Sequence, residues 1–411
     1  PNYFSIERFS EASGHYYALA KIMRVHIMQI IASMQGPLPY TKVESGQYSV
    51  GYDNEEAAWK AMIDDLNYSI DVLTSLMNTD PSFNELTTED RIYQGDYKKW
   101  IKFANSLKLR IAIRISNAVP EYAQEIAEKA VAHPYGVMDS NDCDAYDNIG
   151  STNFKNGLAS VNSWGEVRAN ACIVSFMNGY GDPRREAYFT KTTVSPDYEY
   201  LGVRSGISGI TTGMFSTYST VKVETKTPML IFNAAEVAFL RAEGALKGWT
   251  MGGTAEEFYK KGIQLSFNEH SISGADTYIA NSINVPADYI CPLNSAYNYT
   301  NPCKLPVAWN PATTTSAKEE NLERILTQKM IANFPIGNET WADFRRTGYP
   351  AVFPAYDNLS TQGVTKERQQ RRLRFSEDEY ASNGDNVTEA CSFLSNGQDT
   401  DATDLWWAKK N

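Results

Sequence analysis

Apolar residues recur at helical spacing along most of this chain, and the repeats come in pairs. Between 58 and 77 the apolar positions are Trp59, Met62, Ile63, Leu66, Ile70, Leu73 and Met77, a single stripe three or four residues apart. Asp53 or Asn54 stands where an N-cap belongs. A long apolar helix is expected before it, over 11–35. Trp100, Phe103, Ala104, Leu107, Ile111 and Ile115 form the next stripe, with Lys99, Lys102 and Arg110 on the other face. Pro120 then opens a partner helix at its favoured first position. The helical spans 236–246 and 254–268 flank a Gly-rich turn at 248–253. Leu322, Ile325, Leu326, Met330 and Ile331 define a helix over 321–333, which Pro335-Ile336-Gly337-Asn338 breaks. A short helix restarts at Glu339-Thr340-Trp341 and stops where Gly348 is followed by Pro350. Four antiparallel helix pairs account for this pattern, with Trp59, Trp100 and Trp341 inside the stripes as core residues. The expected class is mainly α: stacked helix pairs resembling tetratricopeptide repeats, without their strict repeat signature.

Two long regions, about 139–227 and 271–318, lack helical spacing and read as loop insertions in one domain spanning 1–411. Within the first, 186–200 alternates β-prone residues around a Ser-Pro-Asp turn, which predicts a short hairpin. Loops this long in a compact domain are mostly functional or disordered. Trp164 lies among Asn162, Ser163 and Gly165, outside any apolar period, and is expected at the surface. Arg168 beside it offers charged donors to hydroxyls or carboxylates. The second region interleaves Tyr278, Tyr289, Tyr297, Tyr299 and Trp309 with Asn294, Asn298 and Asn301. Flat aromatic faces stack on the apolar faces of sugar rings, and amides both donate to and accept from hydroxyls. Trp164, Arg168, Tyr297, Asn298, Tyr299 and Trp309 are therefore the candidate ligand-binding residues. For each of them, packing of the loop against the helices is the competing explanation.

Composition narrows the partners. The 411 residues carry a formal net charge of −11, with 42% hydrophobic and 21% charged residues, as in an ordinary globular protein. That balance argues against phosphate-backbone binding, so no nucleic acid is expected. The one basic cluster, over 368–374, runs into Glu377-Asp378-Glu379 and is read as a solvated face. No apolar run approaches the roughly 18 residues that cross a bilayer. The five cysteines are scattered; Cys291 and Cys303 bracket one loop and are read equally as a bridge or as two thiols. Asp139, Asn141, Asp142, Asp144 and Asp147 form an oxygen-rich run that lacks the Gly and closing Glu of an EF-hand loop, so no metal is assigned. His15, His26, His133 and His270 are isolated, and nucleotide, hydrolase-elbow and zinc-protease motifs are absent. No catalytic residue and no cofactor is assigned.

A resemblance carries the rest. Gln328-Lys329 on one helix is answered by Trp341-Ala342-Asp343-Phe344-Arg345-Arg346-Thr347-Gly348-Tyr349-Pro350 on the next. Gly36-Pro37-Leu38-Pro39-Tyr40, the run from Trp100 through Phe103-Ala104-Asn105-Ser106-Leu107-Lys108-Leu109-Arg110, Gly181-Asp182-Pro183-Arg184, Glu236-Val237-Ala238-Phe239-Leu240-Arg241-Ala242-Glu243 and Trp406-Trp407 complete the series. Each motif is weak alone, but in this order they resemble the SusD/RagB family, specifically its SusD-like branch. The resemblance implies a lipid-anchored protein on the outer-membrane surface of a Gram-negative bacterium. It also implies non-catalytic binding of an oligosaccharide or other small nutrient, delivered to a SusC-like TonB-dependent β-barrel transporter. The lipid would sit on an N-terminal Cys absent from this chain, which looks like the family with its front removed. Two rival readings remain from the residues alone: a glycoside hydrolase, which needs two carboxylates across a cleft, and a repeat-type adaptor that holds peptides in a groove.

Overall fold

The computed structural model describes residues 2–44, 46–211 and 213–408. Its helices are, in chain order, α1 (Asn2–Phe9), α2 (Gly14–Gln35), α3 (Glu55–Thr79), α4 (Tyr97–Ile115), α5 (Pro120–Ala132), α6 (Gly157–Ser163), α7 (Ala171–Tyr180) and α8 (Arg185–Tyr188). They continue with α9 (Ala234–Leu246), α10 (Ala255–Glu269), α11 (Ala275–Ile279), α12 (Thr315–Ala332), α13 (Gly337–Thr347) and α14 (Glu377–Ser392). Two short strands, β1 (Ala145–Asp147) and β2 (Met229–Phe232), pair antiparallel with an irregularity between Ala145 and Tyr146. The scaffold is the expected stack of helix pairs, tetratricopeptide-like in form. In it α2 packs on α3, α4 on α5, α9 on α10 and α12 on α13. Further contacts of α3 with α4, α4 with α9, and α9 with α12 join the pairs into one continuous core.

Local chemistry sets the helix ends. The Asn54 side chain accepts from the Ala57 amide at the start of α3, and Asp96 accepts from Lys98 and Lys99 at the start of α4. Thr254 and Glu257 close a capping box on α10. Gly348 ends α13 at φ 93°, a left-handed backbone that favours glycine. Trp59, Phe103 and Tyr259 are fully buried between the stacked pairs.

Several expectations fail in instructive ways. No strand forms within 186–200 among the described residues; α8 occupies its start, and the sheet instead joins a segment near the start of the first long region to one just beyond its end. Three short helices, α6, α7 and α8, lie within that region, which is otherwise mostly irregular. Arg110, assigned by spacing to the outer face of α4, is buried, because α9 and α13 cover that face. Trp341 is half-buried rather than core, with its indole N–H donating to the Gln370 carbonyl at 3.0 Å. The basic cluster is not a solvated face. Arg371 and Arg372 are buried, and the cluster pairs with Asp399, Asp401 and Asp404 rather than with the adjacent acidic run.

The interface of α4, α9, α12 and α13 is built from charges. Arg110 donates two parallel hydrogen bonds to Glu236, both 2.8 Å, and Arg114 reaches Glu339 at 2.5 Å. Lys329 lies 2.9 Å from Asp343, and Arg346 binds Glu243 at 2.5 and 2.8 Å. All eight groups are buried, four cations against four carboxylates. Several of the motifs quoted from the sequence thus meet in one interior network, through Arg110, Glu236, Glu243, Lys329, Asp343 and Arg346.

Candidate functional site

The two loop regions supply the candidate surface. Asn156 caps α6 by accepting from the Leu158 and Ala159 amides, and the helix ends at Trp164, whose side chain is 65% exposed. Trp164 is at the surface, as expected. Arg168 is less free than expected: its Nε donates to the Phe215 carbonyl at 2.7 Å and its Nη1 to the Gly165 and Val167 carbonyls. It braces the loop that presents Trp164.

Tyr297, Asn298 and Tyr299 lie on a second loop, held as a narrow two-stranded bridge in which Tyr289 and Tyr299 exchange backbone hydrogen bonds of 2.9 and 3.0 Å. The Asn298 side chain accepts from the Cys291 amide at 2.8 Å, so it shapes the loop. Tyr297 stands edge-on to Tyr356 with ring centroids 4.9 Å apart, and Tyr299 lies 4.7 Å from Phe353. Beneath them is Arg204, 5% exposed. Its guanidinium lies 4.8 Å from the Tyr299 ring and 5.3 Å from Tyr356. It donates to the carbonyls of Tyr297, Asn298 and Pro354 at 3.2–3.4 Å, stapling the 289–299 loop to the 350–357 segment. Desolvation pulls its pKa below the usual arginine range, offset in part by the tyrosines. Its Nε is buried without a hydrogen-bond partner among the described residues.

The two loops meet through the 215–218 segment. Arg168 holds the Phe215 carbonyl, and the Tyr218 hydroxyl lies 3.4 Å from the Cys291 sulfur. Contacts therefore link Arg168 through the 215–218 segment to the loop of Tyr297, Asn298 and Tyr299, and Trp164 lies on the Arg168 loop. Trp309 does not join them; its ring packs 5.3 Å from buried Tyr259 on α10. Tyr278 and Tyr289 are buried, and Asn301 is spent on the Cys303 amide and the Ala287 carbonyl. Arg204, Phe353 and Tyr356 were not legible as site residues. The Phe353-Pro354-Ala355-Tyr356 run carried a weak signal, two aromatics around a proline just beyond a helix stop.

Other candidate chemistry dissolves into structure. Cys291 and Cys303 are separate buried thiols. The oxygen-rich run disperses its carboxylates: Asp139 to Lys102, Asp142 to Lys99 and Asp147 to Arg91, with Asp144 accepting from the Ala234 amide. A cavity of about 880 Å³ opens beside β2, lined by His26, Tyr146, Leu230, Glu269, His270 and Ile336, and none of the six predicted residues is in its wall. Glu269 there is raised to about 8 by burial and then by Asp144, which burial raises to about 6. Burial lowers His26 and His270 to about 4. Both oxygens of each carboxylate are already taken: Glu269 accepts from Tyr146 and Asn233, Asp144 from Ala234 and Asn141.

A family model described as the SusD-like, SusD and RagB outer membrane lipoproteins matches residues 1–408. The chain belongs to the SusD/RagB family. A SusD-like protein of Bacteroides thetaiotaomicron is 47% identical, superimposes with a TM-score of 0.95, and is matched over 100% of this chain and 85% of its own. A chitin-binding SusD homologue from Flavobacterium johnsoniae is 37% identical, with a TM-score of 0.94 over 100% and 84% of the two chains. A SusD homologue from Bacteroides uniformis is 41% identical, with a TM-score of 0.93 over 100% and 85%. No curated protein matches the chain. In this SusD-like fold the buried network lies between the helices, while the aromatic cluster is assembled by the loops that join them.

Proposed function

We propose that this protein captures an oligosaccharide at the outer-membrane surface without cleaving it, and hands it to a TonB-dependent β-barrel held alongside. One observation carries the reading: Tyr297, Tyr299 and Tyr356 form an aromatic cluster braced from below by Arg204, with exposed Trp164 on the adjoining loop. Rings held by a buried guanidinium lose little conformational freedom on binding, so their stacking energy goes into affinity. Family membership and the chitin-binding homologue support a glycan as the ligand class. The buried carboxylates of the cavity are saturated by protein donors, which supports binding over hydrolysis. Capture on an open aromatic surface is readily reversible, and tethering binder and transporter on one membrane raises the local glycan concentration at the barrel.

The test is calorimetric titration of the purified protein with a polysaccharide and oligosaccharide panel that includes chitin oligomers, run beside a reducing-end assay. Binding that weakens in Tyr299→Ala and Trp164→Ala, with no new reducing ends, is the expected result. Turnover independent of protein stoichiometry overturns it. For the transporter, the lipidated protein should co-purify with a large β-barrel from mildly solubilised outer membranes, and repeated recovery of free monomer counts against that part.

A further inference from the structure

One short stretch of backbone, residues 201–208, joins the two parts of the aromatic surface. On one side it pairs with the loop that carries Trp164 and Arg168. The Val203 amide donates to the Ala169 carbonyl at 2.8 Å, and the Val203 carbonyl accepts from the Ala171 amide at 2.9 Å. The Leu201 carbonyl accepts from the Ser219 amide at 3.0 Å, which ties in the 215–219 segment gripped by Arg168. On the other side the stretch pairs with the segment that carries Tyr356. The Ser205 and Gly206 carbonyls accept from the Tyr356 and Asp357 amides at 2.9 and 3.0 Å, and the Ser208 amide donates to Asp357 Oδ2 at 3.0 Å. Between these two mounts stands Arg204, its guanidinium against the Tyr299 and Tyr356 rings.

Both joints are too close for a side chain. A Cβ on Gly202 would meet the Ala171 amide nitrogen at 2.6 Å, and one on Gly206 would meet the Ala355 Cβ at 2.7 Å and the Tyr356 nitrogen at 2.9 Å. Gly206 also sits at φ 81°, a left-handed backbone that glycine adopts without strain. Val203 and Gly206 are three residues apart, so the mounts are separated by no more than about 11 Å of chain. Two ring-bearing loops held at a fixed, short separation act as linked subsites: once one is engaged, the other meets the same ligand intramolecularly, provided the geometry matches. We propose that 201–208 is the positioning segment of the site. It sets Trp164 against the Tyr299–Tyr356 cluster so that one linear oligosaccharide bridges both. This rests on the glycan-capture reading and adds the form of the ligand: a chain of several sugars, of which a disaccharide engages only one mount. Gly206 acts through the placement of Tyr356 and does not touch the ligand.

The probes are chitin, cellulose, xylan and starch oligomers, each taken from the disaccharide to the longest soluble chain and titrated calorimetrically into the 411-residue protein. For the series that binds, affinity should step up with length once the chain reaches both mounts. Gly206→Ala should abolish the step and weaken the longest chain about tenfold. In a Trp164→Ala background the same change should cost less than about twofold, because no second mount remains to be aligned. A purely structural role for Gly206 would weaken binding equally in both backgrounds, and that result overturns the proposal. Should Gly206→Ala not fold, the cycle of Trp164→Ala and Tyr356→Ala reads the same coupling: the two losses should be non-additive on the longest chain and additive on the disaccharide. Affinity independent of length, or additive losses throughout, overturns the positioning role while leaving glycan capture standing. If no series binds, glycan capture itself falls and the positioning role falls with it.

Discussion

Carboxylates in two regions of this molecule are shifted in opposite directions. Between the helices, burial pushes Glu243 upward, but Arg346, Lys247 and Lys329 outweigh it and hold the group at about 2. Glu339 is likewise held at about 2, as Arg114 and then Arg110 override its desolvation. At the cavity, Glu269 and Asp144 are desolvated with hydrogen-bond donors but no paired cation, and they rise to about 8 and 6. The side chains are alike in kind, although Glu243 and Glu339 are fully buried and Glu269 and Asp144 half-buried. The sign of the shift is decided by whether a cation stands opposite. Arg110 and Glu339 of the helix interface also line the cavity, so the regions adjoin; Glu269 and Asp144 are the carboxylates of its wall that lack a paired cation among the described residues.

Breaking the paired region should cost most. Glu236→Ala takes from buried Arg110 its bidentate partner, while Lys329 keeps Asp343, and loss of one partner of a buried pair costs about 3–5 kcal/mol. Denaturant unfolding should show this drop with the cooperative transition retained. A simultaneous Arg110→Met change should recover part of it, because the uncompensated charge goes with it.

The region without paired cations predicts a pH slope. The folded pKa of Glu269 lies above its unfolded value, so folding holds a proton that the unfolded chain has released. Its contribution is fully present below the unfolded value near 4.5 and is lost as pH rises toward about 8. The two histidines, lowered to about 4, act in the opposite sense and only below about 6.5. Between pH 6.5 and 8 wild type should therefore lose up to about 1.4 kcal/mol per pH unit relative to Glu269→Gln. Parallel unfolding curves for the two proteins would remove the contrast between the regions.

Arg204 is a third case, a buried guanidinium whose acceptors are carbonyls. Arg204→Ala should cost about 1–2 kcal/mol of stability, less than Glu236→Ala, yet weaken glycan binding more than any single ring. Arg204→Lys should not restore binding, since an ammonium lacks the planar fork that spans both loops. The smallest effects belong to the rings themselves. Tyr299→Ala and Trp164→Ala should each cost about 0.5–1.5 kcal/mol of affinity in calorimetry, and Trp164→Ala should leave stability within about 0.5 kcal/mol of wild type.

Periodicity alone located the helix pairs, since apolar residues three and four apart lie on one face whatever they pack against. Asn54, Pro120 and Gly348 marked helix ends from within a few residues of chain. Trp164 was legible as exposed because no apolar period reached it. The family was legible too, from the order of its motifs, several of which meet in one ion-pair network. What the network does was not: Arg110 and Glu236 lie 126 residues apart, and no local pattern says that they meet. Arg371 and Arg372 likewise looked solvated until Asp399 and Asp404 folded back on them from the C-terminal segment. The aromatic site stands at the far end of this scale. Tyr299, Tyr356 and Arg204 come from three distant segments, and Trp309, from the same loop region as Tyr299, packs half-buried against Tyr259 elsewhere. Helical spacing is a property of neighbours in the chain, so the sequence by itself determined the scaffold. Charge pairing, burial and ring placement depend on which segments meet, and only the tertiary structure decided those.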